Sequence, residues 1–129
     1  MRAGDALSVG QRNELTRVLA AASAATPLSF RLYVGELEQG RASALALLDS
    51  SGGAASSTVL IAVDPGSHEL EIVTGSRAAA SIDDRSCGLA ALAMISSFTS
   101  GDLVGGIRNG VQVLVDHAQH APARHLPTT

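Results

Sequence analysis

The sequence has no lysine and no tryptophan, a single cysteine, one tyrosine and two phenylalanines. All nine basic residues are arginine, which reads as the codon bias of a GC-rich genome rather than as selection for bidentate phosphate binding. With a net charge of −3 and no basic cluster, nucleic acid is excluded as a partner. Cys87 has no second cysteine to pair with. It lies in an apolar, helical segment with no base close in sequence, so it reads as an inert buried thiol. No apolar run approaches the ~20 residues that span a bilayer. The longest are "VLAAASAA" and "TVLIAV", so no membrane insertion is expected. The N-terminal "MRAGDALSVG" lacks the long apolar core of a secretion signal, so a cytoplasmic place is expected. There is no G-x-S-x-G, no C-x-x-C and no D-x-D-x-D-G, which excludes the corresponding hydrolase, thiol and EF-hand chemistries.

What is present is a globular composition of 129 residues, 46% hydrophobic and only 2% aromatic. One domain of this length holds its own core. That core must be built from Ala, Val, Leu and Ile, with close backbone contacts.

Ser8 and Gln11 have capping-box spacing. Leu15, Val18, Leu19 and Ala22 follow as one apolar stripe, so a helix is expected over Val9–Ala25, ended by Thr26-Pro27. "LSFRLYVGEL" alternates, with Phe30, Leu32 and Val34 on one face and Arg31, Tyr33 and Gly35 on the other, as a half-buried strand does. "GRASALALLDS" has helical spacing, and "SGGAASS" reads as a flexible loop. "TVLIAV" is a strand buried on both faces. A turn of about five residues joins it to "ELEIVTG", where Leu70 and Ile72 oppose Glu69 and Glu71. No strand pattern follows. "RSCGLAALAMISSF" is apolar nearly all round, as a buried helix is. A last helix carries Leu103, Val104, Ile107, Val111, Leu114, Val115 and Ala118 on one stripe. Residues 1–119 thus form one α/β domain, a small mixed sheet with helices on its faces in the order α-β-α-β-β-α-α. Residues 120–129 read as a flexible tail.

The run "VLIAVDPGSHELEIVTG", then "IDD", then "FTSGDLVGGIRNGVQVLV" resembles the TPM domain family. Val59–Val63 and Leu70–Gly75 correspond to its hairpin, and Ile82 and Asp84 to its next element. Phe98, Gly101, Asp102, Gly106, Ile107 and Gly110 correspond to its last motif. The likeness covers Ser8 to Ala118 and is strongest to short actinobacterial relatives with no assigned function. It implies an α/β sandwich in which Gly75, Phe98, Gly101, Gly106 and Gly110 are structural. Family members have been linked to photosystem II repair, acid phosphatase activity, calcium binding and receptor maintenance.

The stretch "SGDLVGGIRNG" has the glycine spacing of a phosphate loop at Gly101 and Gly106. The Lys and hydroxyl that must follow are replaced by Ile107 and Arg108, and no strand precedes it. A nucleotide loop is therefore rejected. A packed helix start is favoured, capped by Ser100 or Asp102, with Gly106 and Gly110 admitting another backbone. A hard cation, calcium or magnesium, needs several carboxylates. The candidates are Asp64, Asp83, Asp84 and Asp102, and the site to be tested is Asp64, Asp84 and Asp102. If the last two helices are antiparallel, a helix of about 14 residues holds Asp84 and Asp102 roughly 20 Å apart. Asp83 or Asp84 then serves as a helix cap. His117, His120 and His125 cluster near the last helix end and read as solvated. The favoured function is a non-catalytic binding or regulatory module whose partner is another protein or a second copy. The rival is a divalent-metal-dependent acid phosphatase-like hydrolase.

Overall fold

The first helix begins where the sequence caps it. Ser8 Oγ accepts from the Gln11 amide at 3.1 Å, and Gln11 Oε1 accepts from the Ser8 amide at 2.8 Å. This capping box opens α1 (Val9–Ala25). The computed structural model describes residues 8–120; of the tail expected at 120–129, His120 is instead the last residue of a helix, and 121–129 lie outside the described residues. After α1 come β1 (Ser29–Val34), α2 (Arg41–Asp49), a 3₁₀ helix (Gly52–Ser57), β2 (Thr58–Asp64) and β3 (Glu69–Thr74). Then follow α3 (Ser76–Ser81), α4 (Asp84–Thr99) and α5 (Leu103–His120). The order is the expected α-β-α-β-β-α-α, with α3 added. Two expectations need correction. "SGGAASS" is a 3₁₀ helix rather than a loop, and "SRAAAS" is a helix of six residues. Both are shorter than the windows in which a 3.6-residue period can be read.

The sheet runs β1-β2-β3. β1 and β2 are parallel, with Phe30 opposite Val59 and Leu32 opposite Ile61. β2 and β3 are antiparallel, with Ile61 opposite Ile72. All seven residues of central β2 are buried, as its unbroken apolar run requires. Val59, Ile61, Val63 and Ile72 face a large core shared with Leu15 of α1, Met94 of α4 and Ile107, Val111 and Leu114 of α5. Leu60, Ala62 and Val73 face a smaller one with Leu37 and with Ala44 and Leu48 of α2. The sheet is thus the middle layer, with α2 on one side and α1, α4 and α5 on the other. A four-residue turn, Pro65–His68, joins β2 to β3. Its left-handed residue is His68 at φ 59°, not Gly66.

The all-round apolar pattern of "RSCGLAALAMISSF" does not bury the whole helix. Ser86, Ala90 and Met94 point inward, while Leu89, Leu92 and Ile95 are 46%, 66% and 47% exposed. One helix layer covers the sheet here and nothing described covers that layer.

Candidate functional site

The stretch from Ser97 to Gly110 is a helix end joined directly to a helix start. The Asp102 amide donates to Ser97 O and the Gly101 amide to Phe98 O, both at 2.9 Å. With Gly101 at φ 90°, this is the Schellman closure of α4. Asp102 then caps α5: its Oδ1 accepts from the Gly105 amide at 2.8 Å, as the helix-start reading expected. A Cβ at Gly106 would lie 2.7 Å from Phe98 Cε1 and 3.0 Å from Met94 O. At Gly110 it would lie 2.0 Å from Met94 Cε. These glycines bring α5 against α4, and the Gly101, Asp102, Gly105 and Gly106 amides are taken up within the turn and the cap. Gly75 has the same kind of role, since a Cβ there would sit 1.9 Å from Ala55 O of the 3₁₀ helix.

The acids named from sequence are not brought together. Asp83, not Asp84, caps α4, its Oδ1 accepting from the Ser86 amide at 2.9 Å. Asp84 is exposed in the first turn. Asp102 follows the far end of the same helix, whose 16 residues put it roughly 24 Å away at 1.5 Å per residue. Asp64 is buried at 6% exposure and already coordinated by main chain. Its Oδ2 accepts from the Leu37 amide at 2.9 Å, and its Oδ1 from Gly66 and Ser67 at 3.1 and 3.3 Å. The Leu37 bond above all holds its carboxyl below the ordinary 3.8, against the opposing effect of burial. Asp64 therefore ties the loop before α2 to the hairpin turn. Among the described residues no group of three His, Cys, Asp or Glu could hold a metal ion. The residues present do not fit a calcium or magnesium shared by Asp64, Asp84 and Asp102.

Several other polar or reactive side chains are buried or bonded within the fold. The Cys87 thiol is pushed up to about 11, first by burial and then by Asp84. His117 Nδ1 lies 2.9 Å from Val113 O within its own helix. Arg108 of α5 pairs with Glu14 of α1, and Arg41 of α2 with Glu71 of β3 at 3.4 Å. Arg31 donates to Ser51 Oγ at 3.0 Å and the Tyr33 hydroxyl donates to Glu36 O at 3.0 Å, both on the α2 side of the sheet.

A concave surface lies elsewhere, at the free side of β1. A groove of about 200 Å³ is lined by Arg12, Leu15, Thr16 and Leu19 of α1 and by Leu32 and Val34 of β1. β1 is an edge strand. The Gly35 amide donates to Val63 O at 2.9 Å, which fixes the alternation. Arg31, Tyr33 and Gly35 turn their main chain to β2, so Phe30, Leu32 and Val34 turn theirs outward. The Phe30 amide is taken by Ser23 Oγ at 2.9 Å. No described residue bonds the outward amides of Leu32 and Val34. Periodicity assigned Leu15, Leu19, Leu32 and Val34 to core faces and missed the groove. The signal was topological: the β2–β3 hairpin takes one side of β2, so β1 takes the other and keeps an edge that no described strand pairs.

The NMR structure of the BA42 protein from the psychrophilic bacterium Bizionia argentinensis is similar, with a TM-score of 0.72 over 89% of this chain and 83% of that one. At 14% identity the likeness shows the fold alone. No curated protein matches the sequence. The family model described as "Domain of unknown function (DUF5130)" matches residues 5–115, and the chain belongs to that family.

Proposed function

We propose that this domain is a binding or regulatory module for another protein, with the TPM-like kinship suggested by its hairpin and last helix motif. The observation that carries the reading is the β1 edge. The outward main-chain groups of Leu32 and Val34, which no described residue bonds, lie beside a groove whose described lining residues include no carboxylate, thiol or imidazole. Such a surface can bind and has no group that attacks, protonates or holds a metal. A cytoplasmic place is part of the same proposal, supported by the unpaired Cys87.

Thermal unfolding with EDTA, then with excess calcium, magnesium or manganese, tests it, alongside hydrolysis of p-nitrophenyl phosphate. No midpoint shift and no hydrolysis is the expected result. A cation at 100 times its dissociation constant adds about 2.7 kcal/mol. A rise of several degrees with any of these cations would overturn the reading in favour of the metal-dependent hydrolase.

A further inference from the structure

On α4, Arg85, Gly88, Leu92, Ile95 and Thr99 stand at steps of 3, 4, 3 and 4 and are all exposed. That spacing is the one at which a helix packs along a second helix. Leu92 and Ile95 of this seam, and Leu89 beside it, are large apolar side chains that no described element covers. We propose that the seam pairs two copies of the chain, α4 against α4, antiparallel about a two-fold axis. The surface is separate from the β1 edge, and the inference goes beyond the reading built on that edge.

Gly88 sets the register. At Gly75, Gly106 and Gly110 a Cβ would strike a neighbour, whereas at Gly88 it would meet no described atom within 4 Å. A glycine inside a helix weakens it, and nothing described within the chain accounts for this one. A second helix does. With the axis at the level of Ala90, Leu92 of each copy drops into the notch at Gly88 of the other, because the two positions lie equally far from the axis on opposite sides. The same axis sets Arg85 of one copy across from Ile95 of the other. Its aliphatic stem covers that isoleucine, and its guanidinium reaches the C-terminal end of the other α4, where the helix dipole is negative.

Charge selects this arrangement. No described residue pairs with Arg85. Parallel pairing would set Arg85 against Arg85 and the two Gly88 notches against each other. Antiparallel pairing puts the two guanidinium groups at opposite ends and fills both notches. Asp84 lies about 100° round the helix and off the seam. The chain's own residues 121–129 offer one large apolar side chain, Leu126, against three exposed on α4. Area sets the strength. Sixteen residues give a strip about 24 Å long and ~10 Å wide, on the order of 300 Å² per copy. That is short of the roughly 800 Å² per partner of a standard interface, so the dimer is weak, with a Kd on the order of 100 μM.

The test uses the full chain with a thiol reductant present, so that Cys87 forms no cross-link. Sedimentation equilibrium from about 10 μM to about 1 mM should show the mass rising from 13.1 kDa toward twice that value. A soluble nitroxide should broaden the methyl signals of Leu89, Leu92 and Ile95 in dilute chain and lose that effect on concentration. In a mixed-label sample, the Leu92 methyls of one copy should show an NOE to the Gly88 Hα of the other. Gly88→Gln projects from an open surface. It is expected to raise the thermal midpoint of the dilute chain while weakening association at least about tenfold, a pair of effects that a merely structural glycine would not give. Four results each overturn the proposal. A mass fixed at 13.1 kDa with the methyls open leaves the face to a different protein. Methyls shielded in dilute chain mean that the chain covers its own face. Association that Gly88→Gln leaves unchanged places the contact elsewhere. An NOE between the two Leu92 side chains without one to Gly88 means parallel pairing. The binding-module reading fails separately, on the cation-dependent midpoint, so a monomer with no cation shift removes the dimer and leaves the module.

Discussion

Met94 of α4 and Gly110 of α5 occupy one another's space: a Cβ on Gly110 would lie 2.0 Å from Met94 Cε and 2.5 Å from Met94 Cγ. The contact explains a glycine in mid-helix, where it costs about 1 kcal/mol against alanine. Gly110→Ala regains that propensity but overpacks a fully buried methionine, at about 1–3 kcal/mol. A net loss of stability is expected. In a Met94→Ala background the same change should stabilise. Urea unfolding of the four members of the cycle measures the coupling, and additive effects would rule the contact out.

Asp102 and Asp84 should separate cleanly. Asp102→Ala removes the cap on the Gly105 amide and should cost about 1 kcal/mol in urea unfolding. Asp84→Ala, exposed in a helix first turn, should cost less, about 0.3–1 kcal/mol. Equal losses that appear only when a cation is present would restore a shared site.

Asp64 links stability to acid. Its folded value lies below the ordinary 3.8, so its contribution is complete above that pH and is lost as pH falls through the folded value. Asp64→Asn must turn an NH₂ either toward the Leu37 amide or toward those of Gly66 and Ser67. A loss of about 1–3 kcal/mol at neutral pH is expected, with a flatter stability profile below pH 3.8. Circular dichroism melts of both chains across the acid range decide it; parallel profiles would remove Asp64 from the acid response.

Cys87 should be slow to alkylate. At pH 8 a thiol near 11 is about a thousandth ionised, against roughly a tenth for one near 9. Iodoacetamide labelling of the folded chain is expected to run about 100-fold slower than in urea. The raised value also adds stability that is present below pH 9.0 and lost as pH rises toward about 11. Labelling at equal rates in both states would show an open, ordinary thiol.

Elements with long periods were legible in the sequence. α1 carries its own capping box, β2 its unbroken apolar run, and α5 its stripe from Leu103 to Ala118, and each follows from local spacing. The close approach at Gly106 and Gly110 was also readable, because glycine in a helix needs a cause, whereas the closing of α4 on Gly101 was not read. Asp64 was not. Its three amide donors come from the turn just after it and from Leu37, 27 residues away, and a carboxylate next to a turn reads equally well as a cation ligand. The groove was hidden for a related reason: Leu32 alternates like a core residue, and only the strand order shows that its main chain faces outward.

The two cores that flank the sheet are unequal, and this divides the molecule's cooperativity. The α2 side is closed by six buried side chains, Leu37, Ala44, Leu48, Leu60, Ala62 and Val73, whereas the opposite side gathers α1, α4 and α5 in one continuous cluster. Detaching α2 exposes little apolar surface and leaves the larger cluster closed, so its amides belong to a sub-global opening unit that exchanges well before the whole chain unfolds. Asp64, bonded to Leu37 on one side and to the hairpin turn on the other, is the latch of that unit, and acid would release it first.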